Sequence, residues 1–98
     1  MMANIQTWLG RNSEKLDLYT QAISNVHGRS HPEVIEVREI YQELQSKIKH
    51  EELDHLDLDE LFQTLRKLTH QYQVPDDVCP TYKEVYHLLA EADKVYHD

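Results

Sequence analysis

A chain of 98 residues has room for one domain, near the lower limit for a core that holds without metal, disulfide or partner. A formal net charge of −8 argues against a nucleic-acid surface or an anionic membrane face. No apolar run is long enough to span a bilayer, no charged-then-apolar leader opens the sequence, and the single cysteine, Cys79, suits a reducing cytoplasm. Two glycines and three prolines leave few places for tight hairpins, so helices are expected throughout a single domain over residues 1–98. Seven histidines are the one compositional oddity, because histidine is both the commonest metal ligand and the side chain that titrates near neutrality.

The first eleven residues read as a separate N-terminal segment, a short helical turn closed by Gly10. A clearer helix is predicted after Asn12 or Ser13, both good N-caps, with Leu16, Tyr19, Ala22, Ile23 and Val26 on one face and Gly28 at its end. "SHPEV" opens the next helix, with Pro32 in the first turn and Glu33 complementing the helix dipole. Its apolar stripe is Val34, Val37, Tyr41, Leu44 and Ile48, spaced alternately three and four apart.

Continuing that count lands on Glu51, His55, Leu58, Phe62, Leu65, Thr69 and Tyr72, and no glycine, proline or asparagine interrupts the run between Glu33 and Val74. One possibility is a hairpin near Asp54 to Asp57, with Asp57 and Glu60 as a capping box. The other is one helix of roughly 40 residues, about 60 Å long at 1.5 Å per residue. The long helix is preferred, since "ELDHLDLDEL" offers only aspartates where a helix–helix turn usually wants more permissive residues. "VPDDVCP" is a loop, Thr81 and Glu84 form another capping box, and Tyr82, Val85, Tyr86, Leu89, Ala92 and Tyr96 line the last helix. That helix reaches Asp98 without a stop signal, which suggests a tail cut short or paired with something outside the chain.

Glu51 and His55 stand where the stripe calls for leucine or isoleucine, four apart on one helical face. Burying both is costly unless they pair or bind a cation, and helical bundles build iron sites from such inward residues. A simple ion pair or a helix junction is the more ordinary explanation of the same spacing. His50 and Asp54 repeat it one position over. His27 precedes Gly28 at a helix end, His31 precedes Pro32 where it can cap, and His70, His87 and His97 lie off the stripes. Cys79 reads as a small filler with no histidine beside it in sequence, and no phosphate loop or zinc-binding cysteine pair is present.

"VHGRSHPEVIEVREIYQEL" and "HLDLDELFQTLRKLTHQYQVPDDVCPTYKEVYHLLAEADKVYHD" resemble the hemerythrin-like domain of the repair-of-iron-centres proteins, over most of the chain from about Leu16. The resemblance implies an all-α fold, a relative of the four-helix bundle that holds a non-haem di-iron site. It also implies a link to restoring iron–sulfur clusters after nitrosative or oxidative damage. In that family's pattern His27 falls on a ligand histidine ending the first helix, and His55 on the histidine opening the third. Glu51, or else His50 with Asp54, stands for a ligand in a shortened second helix. An early ligand histidine would fall near Gln6, and the closing histidine-and-glutamate motif would begin just after Asp98.

The resemblance therefore implies metal ligands His27, Glu51 and His55, with His50 and Asp54 as the lesser choice, and iron as the cofactor. Such iron pairs take about six protein ligands, so one chain is short of a full set. A dimer could complete the site, the chain could be a fragment, or the metal could have been lost. If the second and third helices fuse, two chains could exchange halves of their long helices in a domain-swapped homodimer. Two functions compete: an iron-binding protein of cluster repair, partnered with damaged iron–sulfur proteins, and a metal-free helical association module. Enzymatic chemistry has almost no support in the residues.

Overall fold

The computed structural model describes residues 4–52 and 56–98. Four helices follow one another: α1 (Ile5–His27), α2 (Glu33–His50), α3 (Asp59–Leu68) and α4 (Pro80–His97). No strand occurs among the described residues, as the all-helical expectation requires. α1 packs against both α2 and α4, and α2 against α3. Trp8 near the start of α1 donates to Glu91 near the end of α4, so those two helices run in opposite directions. The interior is lined by Leu16, Ile23, Val37, Tyr41, Phe62, Val85, Tyr86 and Leu89, all with almost no exposure.

From Asn4 onward the N-terminal segment is continuous with the first helix. α1 starts at Ile5, capped by Asn4, whose side-chain oxygen accepts from the Thr7 amide at 2.9 Å, and it passes straight through Gly10. A mid-helix glycine costs about 1 kcal/mol, but burying Ile5, Trp8 and Leu9 returns about 1.5–3 kcal/mol for each large side chain. Burial decides the contest. Asn12 and Ser13, the expected caps, are interior: the Asn12 amide donates to the Trp8 carbonyl and Ser13 accepts from the Tyr41 hydroxyl. A Cβ added at Gly10 would meet nothing within 4 Å. Gly10→Ala should therefore raise stability by about 0.5–1 kcal/mol, read as a higher urea midpoint with an unchanged slope.

The continuous helix across 33–74 does not form. α2 stops at His50, and Glu51 is already extended, with φ −107° and ψ 147°. Most stripe residues are nevertheless buried: Val34, Val37, Tyr41, Leu44 and Ile48 on α2, then Leu58, Phe62, Leu65 and Thr69, while Glu51 and Tyr72 are half-buried and His55 lies outside the described residues. Folding back lets both halves of the stripe cover each other within one chain, whereas a straight helix would leave them waiting for a partner. Asp57 helps start α3, its Oδ1 accepting from the Asp59 amide at 3.1 Å. With α2 and α3 packed against each other, the fused helix on which the swapped dimer depended is absent.

Two smaller expectations also change. Val26 is 73% exposed, on the outer side of α1. α4 begins one residue before Thr81, with Pro80 in its first turn and Cys79 as N-cap, and no side chain caps it. Between α3 and α4 the backbone turns through three successive left-handed residues, His70 (φ 52°), Gln71 (φ 63°) and Tyr72 (φ 62°). Each costs roughly 1–2 kcal/mol for a residue with a Cβ. The Thr69 hydroxyl accepts from the Tyr72 amide at 2.8 Å and the Tyr72 hydroxyl reaches Asp93 at 2.7 Å, which offsets that strain.

Candidate functional site

Polar side chains gather at the two ends of the bundle. At the α1–α2 turn, His27 Nε2 lies 3.2 Å from Cys79 Sγ, and its ring stands edge-on to Tyr82 at 5.3 Å. His31 bridges two acids, with Nδ1 3.0 Å from Glu33 Oε1 and Nε2 3.1 Å from Asp77 Oδ1. The Tyr82 hydroxyl donates to the same Glu33 oxygen at 3.4 Å and shares a 3.1 Å hydrogen bond with the Tyr86 hydroxyl. A chain of hydrogen bonds thus runs from surface Asp77 to two buried tyrosines. Burial pushes the pKa of both phenols up, disfavouring their ionisation, and the Tyr82–Tyr86 hydrogen bond pushes that of Tyr82 up further. They stay neutral. His27 and Cys79 are 52 residues apart, so no local spacing could have paired them.

At the opposite end, α3 and α4 are tied through Asp93. Arg66 Nε donates to Asp93 Oδ2 at 2.8 Å and its terminal nitrogen to Oδ1 at 2.6 Å, while Tyr72 donates to Oδ2 at 2.7 Å. His97 Nδ1 lies 2.8 Å from the Asp93 carbonyl oxygen, and Nε2 3.1 Å from Asp59 Oδ1. Burial of Asp93 works against its charge, but the hydrogen bonds from Arg66 and Tyr72 outweigh this and hold its carboxyl below the usual range. His97 is therefore not a free surface residue as its position off the stripe suggested. The signal for Asp93 was present: Tyr86, Leu89, Asp93 and Tyr96 are spaced three, four and three apart, an acid on an apolar seam.

The metal ligands expected from the resemblance are not gathered within the described chain. His27 ends α1 and Glu51 follows α2, so the 18 residues of α2, about 27 Å at 1.5 Å per residue, separate them. Glu51 is half-buried and its amide donates to the Lys47 carbonyl, and His50 is exposed at the last position of α2. Asp54 and His55 lie outside the described residues. Among the described residues, no three histidine, cysteine, aspartate or glutamate side chains converge to hold a metal ion. Every buried side-chain nitrogen and oxygen described already has a hydrogen-bond partner, so none waits for one. The described interior does not fit a di-iron pair.

Sequence comparison extends to most of the chain. It is 24% identical to the iron-sulfur cluster repair protein ScdA of Staphylococcus haemolyticus over 116 residues, covering 87% of this chain and 52% of the relative. Two Staphylococcus epidermidis proteins of the same name are each 26% identical over 115 residues, covering 86% of this chain and 51% of theirs. The chain is distantly similar to iron–sulfur cluster repair proteins. It spans about half the length of these curated relatives. The matched stretch exceeds the 98 residues of this chain, so the relatives carry extra residues inside the similar region. No protein-family model matches, and no solved structure matches. No described helix is long and apolar enough to cross a membrane.

Proposed function

We propose that this chain serves the repair of iron–sulfur centres under nitrosative or oxidative stress in the cytoplasm, as a helical association module rather than an enzyme. In this reading it holds no di-iron centre within its own bundle. One observation carries the reading: the space between the helices is filled by Leu16, Val37, Tyr41, Phe62, Val85, Tyr86 and Leu89. The similarity to proteins named for cluster repair supplies the physiological setting. Its partners are a second copy of the chain and damaged iron–sulfur proteins. Leu18, Val26 and Ile35, all exposed, offer apolar surface on α1 and α2 for such contacts.

A second reading keeps iron and moves it. "HEELDH", from His50 to His55, puts five oxygen or nitrogen donors into six residues next to the end of α2. Elemental analysis of protein from iron-supplemented growth, purified without chelators, decides between the two. The association reading predicts less than about a tenth of an equivalent of iron per chain, because no ligand set converges among the described residues. About one equivalent, lost in His55→Leu and kept in His27→Ala, would instead place iron at the turn. Light scattering at tens of micromolar should give twice the mass of one chain, and a clean monomer would remove the homodimer.

A further inference from the structure

The N-cap of α3, Leu58, makes no side-chain cap; besides the Asp57 carboxylate, the last turn of α4 ties that end down. The Tyr96 hydroxyl accepts from the Leu58 amide at 2.9 Å and reaches the Leu56 carbonyl at 3.5 Å. Its ring stacks on Phe62 at 5.5 Å. Next to it, His97 lies between two carboxylates, Asp93 on its own helix with Oδ1 2.9 Å from Nδ1, and Asp59 at the first position of α3 with Oδ1 3.1 Å from Nε2. Both ring nitrogens face only acceptors, counting the Asp93 carbonyl. A neutral imidazole has one N–H and can donate to only one side. The imidazolium donates to both.

We propose that His97 is a pH-operated clasp: charged, it locks the start of α3 to the end of α4, and on losing its proton it releases that end. The groups facing it are Asp93 and Tyr96 from α4 and Asp59, Phe62 and Arg66 from α3. Arg66 alone opposes the charge, and its guanidinium is already engaged by Asp93. The hydrogen bond to the Asp93 carbonyl and the one to Asp59 raise the His97 proton affinity, with partial burial working the other way. A histidine whose affinity is raised by folding contributes fully below its unfolded value, about 6.5, and its contribution fades as pH climbs through the higher folded value. The clasp is therefore closed in mild acid and opens as pH rises through that folded value.

Such a clasp controls how firmly the start of α3 is held, because Asp59 and the Tyr96 contacts to Leu56 and Leu58 sit at that end of the helix. The test is hydrogen exchange of the Leu58 to Phe62 amides in the whole protein at pH 6 and pH 8, as protection factors corrected for intrinsic exchange. Protection should fall by at least about threefold between the two in the parent chain and stay level in His97→Gln. An equal fall in both would overturn the clasp. Ring titration by NMR gives an independent reading that needs no variant. His97 should titrate above the ordinary imidazole value of about 6.5, and a value at or below it would refute the proposal.

Discussion

Replacing Asp93 with alanine should cost about 3 kcal/mol, the penalty for leaving a partly buried charge without its partner. Three side chains lose their acceptor at once: the Arg66 guanidinium, the Tyr72 hydroxyl and the His97 imidazole. Arg66 keeps 31% of its side chain in water, so it can recover some hydration, which keeps the expected loss at the low end for a broken buried pair. Tyr72 is half-buried, and without its hydrogen bond the left-handed turn at 70–72 loses an anchor. The measurement is a urea midpoint at neutral pH. A loss under about 1 kcal/mol would mean that the network is surface decoration.

The same residue sets the acid limit. Folding lowers the Asp93 carboxyl below its usual range, so its contribution is present at neutral pH and drains away as pH falls from about 4 towards the folded value. The parent chain should therefore lose stability across that acidic interval more steeply than Asp93→Ala. The two curves converge at the lowest pH reached.

Phe62→Ala should be at least as damaging, about 3–5 kcal/mol, through lost transfer energy and the cavity left behind. Phe62 has no exposure, and its ring stacks on Tyr96 and meets His97 edge-on at 5.8 Å. α3 has only ten residues, and its buried members are Phe62 and Leu65, so it has little else with which to hold its place. Helical circular dichroism of the variant should show the loss of about one short helix before the global transition. A single cooperative transition near the parent midpoint would contradict this account of how α3 is held.

Among the described residues, the filled interior leaves no group of side chains gathered for a metal. A bundle that holds a cation needs its polar residues at one level, facing inward from several helices. Here His27 and the Glu51 region lie at opposite ends of α2, and tyrosines and aliphatic side chains fill the middle. Two acids at the ends, half-buried Glu33 and buried Asp93, are taken up by histidine, tyrosine and arginine partners. They act as structural ties.

Periodicity alone determined the helical class and most of the buried face. The seam Val34, Val37, Tyr41, Leu44, Ile48, Leu58, Phe62 and Leu65 was legible because a three-and-four spacing leaves few other ways to hide apolar side chains. The absence of glycine and proline between 33 and 74 misled, since the path there is chosen by what the seam can cover. A hairpin buries it within one chain; a straight helix does not. α1 ran through Gly10 for a like reason, Trp8 and Leu9 outweighing one weak residue. The His27–Cys79 contact, the Arg66–Asp93 pair and the His97–Asp59 contact join residues 27 to 52 positions apart. Only packing brings them together, so only the tertiary structure could name them.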